Sequence, residues 1–411
     1  MDDANTRVLR QWRDRGVVIP NPATVTIDPA IDGDRIAPGV TLFPGTRLSG
    51  EQTWIGPDCR IGEEAPMTLQ DCVLGAGVRL KGGFAAEAVF LDGAEMGSGA
   101  HIRPATLLEE QASGAHSVGL KQTVWLSYVT AGSLINFCDA LMSGGTSRRH
   151  HSEIGSSYIH FNFTPHGDKA TASLVGDVPR GVLLDQPPIF LGGQGGLVGP
   201  CQVDFGVVVA AGTILRHDAL QAGHLYREGS GPDPASPPVS YPPGRYRGVT
   251  RIWTLQKQYI GNLLALRAWY AWARPQFMDQ QPYGKACRLA AMEALDRAVA
   301  ERRKRLQSWI EGLPDSLSQW KAEASDAAVR AQQAHDQVLQ QCAHEHAHWR
   351  QPVPESVGDE ARSLFLKEWH TLQANNHLDG VQQLSPAGRQ AVTTWLQSIV
   401  DWAQASPPAK E

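Results

Sequence analysis

The chain has 411 residues, with 37 lysines and arginines against 42 aspartates and glutamates and a formal net charge of −5. This mildly acidic balance excludes the strongly basic composition typical of nucleic-acid-binding proteins. No segment reaches the roughly 20 successive apolar residues of a membrane-spanning helix, and the first residues, MDDANTRVLRQWRDRG, lack the apolar centre of a signal peptide. None of the six cysteines has CxxC spacing. We therefore expect a cytoplasmic protein with reduced thiols, built from two or three structural units.

Residues 1–23 are predicted to form an N-terminal arm, and residues 24–225 a repeat domain in which apolar side chains recur every six positions. Because strand side chains alternate with a period of two, this spacing places them on one face of a strand, whereas a helix would spread them around its axis. The pattern predicts a parallel β-helix of hexapeptide repeats, with three short strands to a turn. A β-sandwich would need longer strands and hairpin signals such as Asn-Gly, and no Asn-Gly dipeptide occurs in this segment. The series are Ile36, Leu42, Leu48; Ile55, Ile61, Met67, Val73; Met96, Ile102, Leu108; and Leu197, Val203, Val209, Leu215.

Residues 226–248, YREGSGPDPASPPVSYPPGRYRG, are rich in proline, glycine and serine and predict an extended linker. After it, residues 249–405 are predicted to be a helical domain, followed by a tail at 406–411. We expect this domain to be a bundle or a helical hairpin that projects from the β-helix. It could bind a protein partner or, through a coiled-coil seam, hold neighbouring subunits together.

Within the helical domain, apolar residues three and four apart predict a first helix from about residue 252 to 270. A second helix, through residue 310, is expected to stop at Gly312 and Pro314, and a third to cover about 318–348. Ser385 and Pro386 are suited to the N-cap and first position of a last helix. The basic run at 302–305 is interpreted as a solvated helix face.

Six segments carry a resemblance to a known family, in matching order and approximate spacing. They are GSGAHIRPATLL (97–108), AHSVG (115–119), EIGSSYIHFNF (153–163), LVGD (174–177), IFLGG (189–193) and VVVAAGTIL (207–215). Residues 24–218 resemble the acetyltransferase half of the bifunctional bacterial N-acetylglucosamine-1-phosphate uridyltransferase/glucosamine-1-phosphate N-acetyltransferase. The uridyltransferase domain of that family has no counterpart in this sequence.

The resemblance implies a left-handed β-helix, a homotrimer with active sites between adjacent β-helices, and a role in UDP-N-acetylglucosamine and cell-envelope biosynthesis. It further implies acetyl-CoA as co-substrate, no metal for the acyl transfer, and a phosphorylated or nucleotide-linked amino sugar as acceptor. The implied substrate-binding residues are Arg103, Lys121, Asn162, Phe163 and Lys169. Among them, Arg103 and Lys169 match residues that contact the sugar phosphate. Gly193 and Ala211 fall on rungs that line the CoA groove.

The general base of the family is a histidine, and counting along the sequence places Phe137 at its position. An amine that attacks a thioester must lose a proton, and phenylalanine cannot accept it. The candidates for this role are His160, His166 and Asp139. If His160 and Asn162 lie in one strand, they are two residues apart and should face the same side.

Two other functions use the same scaffold. One is a non-catalytic sugar-phosphate-binding or scaffold protein that has lost the catalytic histidine. The other is a zinc enzyme resembling the γ-class carbonic anhydrases, which hold their metal with histidines across a subunit interface. The HxxxxH spacing of that class is absent from the sequence, so we expect no metal site.

Overall fold

The computed structural model describes residues 4–163, 169–227, 244–344 and 348–405. Its first part is a left-handed parallel β-helix and its second part is helical, which confirms the predicted fold class. Each turn of the β-helix contributes a short strand to each of three faces, so the coil is a triangular prism. All ladder pairs between successive turns are parallel.

The three faces are named in the order in which the chain visits them. The strands of the first face are Thr41–Leu42, Arg60–Ile61, Arg79–Leu80, Glu95–Met96, Ser113–Gly114, Thr130–Ala131, Glu153–Ile154, Phe190–Leu191, Val208–Val209 and Leu225–Tyr226. Those of the second face are Thr26–Ile27, Arg47–Ser49, Met67–Gln70, Gly83–Ala86, Ala100–Ile102, Ile159–Phe161, Gly196–Val198 and Ile214–Leu215. Those of the third face are Trp54–Ile55, Val73–Leu74, Ala88–Phe90, Thr106–Leu108, Ser173–Val175 and Gln202–Val203. Val118–Trp125 and Ile135–Met142 run from the second face into the third, and Gly145–Ser147 pairs with His150–His151 in an antiparallel hairpin.

The interior of the prism is filled by stacked side chains from successive rungs. On the second face, Leu48 pairs with Leu69, Leu69 with Ala85, and Ala85 with Ile102, and all are buried. This stacking is the physical meaning of the six-residue period, because every sixth residue returns to the inward side of the next face. Val73 is an exception, since its neighbour Leu74 belongs to the interior cluster instead.

The third face is apolar on its outward side as well. Val73, Val89, Leu107, Val124, Leu141 and Leu174 are register neighbours on successive rungs, and each is buried in a cluster shared with the helical domain. Strands such as Ala88–Phe90 and Thr106–Leu108 therefore carry successive apolar residues, as expected for a sheet covered on both sides. The polar residues Arg60, Arg79 and Glu95 occupy the equivalent outward positions of the first face.

The α-helices are α1 (Ala4–Asp14), α2 (Val178–Gly181), α3 (Val249–Trp272), α4 (Pro275–Met278), α5 (Pro282–Lys321), α6 (Asp326–His344), α7 (Asp359–Trp369), α8 (His377–Gln383) and α9 (Pro386–Gln404). Short 3₁₀ turns cover Pro22–Thr24, Gly33–Arg35 and His348–Arg350. Leu9 and Trp12 of α1 join the interior cluster of the prism. None of the described helices combines the length and apolarity needed to cross a lipid bilayer.

Two predicted helix boundaries have opposite outcomes. Ser385 is the N-cap of α9, where its hydroxyl accepts a hydrogen bond from the Gly388 amide, and Pro386 follows at the first position, as predicted. The predicted stop at Gly312 and Pro314 is wrong, because α5 continues through both to Lys321. Leu313 and Leu317 are buried on this last part of α5. Their packing stabilises the continued helix, although proline intrinsically disfavours a helix interior.

The helical domain packs along the third face, so the expectation of a projecting domain is wrong. Gln256 of α3 donates to the Ala172 carbonyl at 3.0 Å, and Asn262 accepts from the Val178 amide at 2.8 Å. Nearer the middle of the coil, Arg274 donates to Glu110 at 2.5 Å. These bonds pair polar groups inside an otherwise apolar interface, although Nε and Nη1 of Arg274 have no hydrogen-bond partner among the described residues.

Glu109 lies in the same interface and is fully shielded from solvent. Its carboxyl accepts hydrogen bonds from the Tyr270 hydroxyl at 2.7 Å and from the Ser127 amide at 3.2 Å. Burial raises the pKa of Glu109 from its ordinary value of 4.5 to about 7, although the nearby Arg274 opposes this shift. The folded protein therefore binds this proton more tightly than the unfolded chain does.

The raised pKa of Glu109 predicts a pH-dependent stability. The contribution of the protonated group is complete below pH 4.5 and is lost as the pH rises to about 7, by up to about 1.4 kcal/mol per pH unit. In the variant Glu109→Gln, which cannot ionise, this part of the decline in unfolding free energy should disappear. Urea denaturation between pH 5 and pH 8 measures it. The exposed-site variant Glu51→Gln should keep the wild-type slope, and an unchanged slope in Glu109→Gln would contradict the assignment.

Candidate functional site

A cavity of about 310 Å³ lies where the second face turns into the third, beside α5. We call it the corner pocket. Its described lining consists of Arg103, Lys121, Gln122, Asn136, Cys138, Asp139, Asn162, Phe163, Lys169, Glu301, Arg302 and Arg305. The lining therefore combines four turns of the β-helix with one face of a helix from the second domain.

The backbone at this corner is left-handed. Gln122 and Asp139 occupy neighbouring positions on successive rungs, with φ angles of 53° and 57°. This conformation is unfavourable for most residues but is tolerated by Asp and Asn. It lets each continuous strand bend around the prism edge, and both residues come to line the corner pocket.

The corner pocket brings together all five residues that the resemblance assigned to substrate, together with Asp139. Lys121 and Cys138 are register partners, and the Arg103 amide donates to the Leu120 carbonyl at 2.9 Å, so Arg103 lies on the rung beside Lys121. Parallel stacking of rungs thus collects residues that are far apart in the sequence. Their roles in substrate binding remain predictions.

Asn162 joins the pocket where the chain leaves the coil. Its side-chain amide donates to Asp139 at 2.5 Å, and Thr171 donates to its backbone carbonyl at 2.9 Å. The second bond closes the base of an excursion between the strands Ile159–Phe161 and Ser173–Val175. Phe163, the next residue along the chain, is 62% exposed. His166 belongs to residues 164–168, which lie outside the described part of the chain.

Cys138 lies beneath the cationic side chains. Arg103 Nη2 donates to its sulfur at 3.2 Å, and the thiol donates to the Asn136 side-chain oxygen at 3.2 Å. Burial raises the pKa of the thiol above its ordinary value. Cys138 is therefore a protonated hydrogen-bonding group rather than a thiolate nucleophile.

Helix α5 contributes residues that sequence reasoning did not assign to the site. Arg302 is only 3% exposed and donates through Nη2 to Asp139 at 2.7 Å. Arg305 donates through Nε to Glu301 at 2.7 Å, one helical turn away. The interpretation of the 302–305 run as a solvated face is thus wrong for Arg302. No local pattern distinguishes it, because the partner Asp139 is 163 residues earlier in the chain.

The corner pocket is strongly cationic. Its described lining holds five basic side chains and two carboxylates, and both carboxylates are already paired with arginines of α5. Arg103, Lys121 and Lys169 therefore have no carboxylate partner within that lining. A concave site with this excess of positive charge attracts anions.

His160 faces away from the pocket, in the interior column between Phe137 and Leu197. Its Nδ1 donates to the Cys138 carbonyl at 2.5 Å, and its Nε2 accepts from the Ser173 hydroxyl at 2.9 Å. Burial lowers the pKa of the imidazole. The ring is therefore held neutral with both nitrogens engaged. The expected shared face with Asn162 is wrong, because Asn162 follows the strand, at the corner.

Phe137 is also an interior residue and is fully buried. The position reached by counting from the family motif cannot face a substrate, since strand alternation directs its side chain into the prism. Its neighbours Asn136 and Cys138 are the ones that line the corner pocket. Residue 137 is therefore not a position from which a side chain could act as a base on a ligand in the corner pocket.

Gly193 and Ala211 lie elsewhere, on consecutive rungs at the turn between the first and second faces. The Gly212 amide donates to the Gly193 carbonyl at 2.9 Å, which places the two turns directly against each other. A side chain at Gly193 would come within 2.8 Å of the Ser156 carbonyl oxygen. Neither residue lines the corner pocket, and the CoA groove assigned to them stays a prediction.

Larger cavities of about 710 and 570 Å³ lie among α3, α5 and α9 and between α5 and the early rungs. They include none of the residues implied by the resemblance. In the part of the chain that the structure describes, no three histidine, cysteine or acidic side chains are grouped so as to hold a metal ion. The corner pocket is therefore the site in which the sequence evidence and the geometry coincide.

The fold and the pocket define a hexapeptide-repeat β-helix protein whose cationic corner site is flanked by a second, helical domain. Over 223 residues the chain is 30% identical to the bifunctional protein GlmU of Kineococcus radiotolerans, covering 54% of this chain and 40% of that protein. Over 163 residues it is 32% identical to the bifunctional protein GlmU of Thermus thermophilus, covering 36% of this chain and 35% of that protein. These matches confirm the resemblance. The chain spans about two fifths or less of the length of these curated relatives.

Among solved structures, that of the polysialic acid O-acetyltransferase OatWY matches 54% of this chain and 90% of that chain, with 12% identity and a TM-score of 0.20. A likeness this distant carries no argument about function. No protein-family model matches the chain.

The interior position of His160 predicts a structural effect of its removal. His160→Ala should lower the free energy of unfolding by about 2–4 kcal/mol, because it leaves a cavity and an unpaired Cys138 carbonyl and Ser173 hydroxyl. His150→Ala, at an exposed position of the hairpin, should change it by less than about 0.5 kcal/mol. Chemical denaturation compares the two variants. Wild-type stability of His160→Ala would contradict the interior assignment.

Proposed function

We propose that the protein transfers an acetyl group from acetyl-CoA to the amino group of a phosphorylated or nucleotide-linked amino sugar bound in the corner pocket. One observation carries this proposal. Arg103, Lys121, Asn162 and Lys169, which the resemblance assigns to substrate, line one cavity with an excess of positive charge. Phosphate esters require such fixed cations, and arginine and lysine supply them as a fork and a point charge.

In the proposed reaction the amino nitrogen attacks the thioester carbonyl, a C–N bond forms, and the C–S bond breaks to release CoA. The amine loses one proton, and the departing sulfur leaves as a thiol. Cations of the pocket hold the phosphate, while Asn162, fixed by its bond to Asp139, orients the sugar. Holding the acceptor in this way reduces the entropic part of the barrier.

A base for the amine proton is worth about 10²–10⁴-fold in rate. His160 is not suited to it, because both ring nitrogens are engaged in the interior. Asp139 is already bound to Arg302 and Asn162, which makes it a positioning residue. We therefore propose His166, which lies in the sequence between the pocket residues Phe163 and Lys169, as the base. The proposal further includes a homotrimer in the cytoplasm, no metal in the transfer step, and a place in UDP-N-acetylglucosamine and cell-envelope biosynthesis.

A second candidate function is binding of a sugar phosphate without catalysis, with the helical domain as an arm for a protein partner. The observation that favours it is the absence of any histidine from the described lining of the corner pocket. The cationic site would then act as a receptor for the anion.

Acyl transfer is tested by incubating the protein with acetyl-CoA and glucosamine 1-phosphate and measuring free thiol. Arg103→Gln should raise the KM for the sugar phosphate by roughly 10–100-fold, the effect of losing a charged hydrogen bond, and leave the KM for acetyl-CoA unchanged. Arg47→Gln, at an exposed position of the same face, is the matched control and should behave as wild type.

His166→Ala separates the two candidate functions. If His166 is the base, this variant should lose at least about 10²-fold in kcat while binding glucosamine 1-phosphate as tightly as the wild type. Binding by the wild type without any thiol release would support the receptor instead. If the wild type bound neither acetyl-CoA nor glucosamine 1-phosphate, both candidate functions would be contradicted.

A further inference from the structure

We propose that the helical domain is part of the ligand site, with Arg302 of α5, assisted by Arg305, binding a phosphate-type anion together with the cations of the β-helix. The resemblance covers only the β-helix and assigns nothing in the helical domain. The inference depends on the proposed function only for identifying the anion as that of a sugar phosphate. Anion binding itself can be measured without turnover.

Helix α5 runs along the corner of the prism. Arg297 pairs with Glu87 and Arg302 pairs with Asp139, and both acidic residues have left-handed backbones. Residues four apart share a helix face, so 297, 301 and 305 follow the same line. Helix α5 thus forms a fixed wall of the pocket.

The hydrogen bonds of Arg302 are incomplete. A guanidinium has five N–H donors, and this one is 3% exposed with Nη2 bonded to Asp139. Its Nε and Nη1 are buried and have no hydrogen-bond partner among the described residues. Burying unpaired donors of a charged group is costly. Because Arg302, unlike the similarly unpaired Arg274, lines a cavity, an acceptor bound in the pocket would stabilise it.

Arg103, on the β-helix side of the pocket, shows the same feature. Its Nη2 reaches only the weak acceptor Cys138, and its buried Nε lacks a partner within the described residues. Two arginines from different domains therefore line one cavity with donors left over. Phosphate suits them, because its oxygens accept bidentate bonds from more than one guanidinium.

Asp139 connects the two domains at this point. Its two oxygens accept from Arg302 of α5 and from Asn162 of the excursion. It thereby fixes the orientation of both side chains relative to the pocket. The outer part of the wall is Arg305, whose Nε is bound to Glu301. In this arrangement the helical domain supplies a binding residue from the same chain.

The test measures binding of inorganic phosphate and of glucosamine 1-phosphate to the full-length chain by isothermal titration calorimetry. The double variant Asp139→Asn/Arg302→Gln removes both charges of the ion pair together, so that neither partner is left as an unpaired buried charge. It should bind both anions at least roughly tenfold more weakly, and Arg305→Gln roughly threefold more weakly. Arg297→Gln, which removes a more exposed ion pair on the same helix and outside the pocket, should bind as the wild type does.

Arg302→Lys gives a second measure that keeps the charge and the link to Asp139. Loss of the fork alone should weaken phosphate binding at least roughly threefold, and circular dichroism verifies that each variant is folded. Wild-type affinity in the folded Arg302 variants would overturn the role of α5 while leaving acyl transfer intact. Failure of the wild type to bind either anion would overturn the inference, and thiol release would then test the proposed function independently.

Discussion

The structure depends on one constraint, which is that the third face of the β-helix is apolar on both sides. Its inward residues fill the prism, and its outward column from Val73 to Leu174 is buried beneath the helical domain. Each aliphatic side chain removed from water in this way contributes about 1.5–3 kcal/mol. The first face carries Arg60, Arg79 and Glu95 at outward positions of its early rungs. The apolar outward residues of its last rungs, Phe190, Val208 and Leu225, are exposed and not covered by helices. The helices therefore cover one particular side of the coil, and the two domains share a hydrophobic core.

The packing of the helical domain on the third face also determines which of its residues line the corner pocket. Helix α5 follows the corner at which the covered face begins, and this brings Arg302 to Asp139. The β-helix contributes Arg103, Lys121 and Lys169, and the helix contributes an arginine with unused donors. A site that resemblance alone would place on the repeat domain is thus bounded by both domains.

His160 and Asn162 do not share a face because the strand ends between them. Residues that are two apart in a regular strand share a face. Asn162, however, lies after the end of the strand Ile159–Phe161, where the chain turns at the corner. His160 instead takes an interior position in place of an aliphatic residue and forms bonds to Cys138 and Ser173 there. Glu109 is a similar polar group in the domain interface, with its pKa raised by the same loss of water.

The sequence by itself determined the β-helix and the identity of the substrate-binding candidates. Its six-residue period is a local property, and the family motifs keep their order on successive rungs that stack in register. It also determined the N-cap of α9, since a cap needs only neighbouring residues. Only the tertiary structure decided the interior orientation of His160, the continuation of α5 through Pro314, and the pairing of Arg302 with Asp139. Each of these depends on burial or on partners distant in the chain, and no spacing within a short segment encodes such contacts.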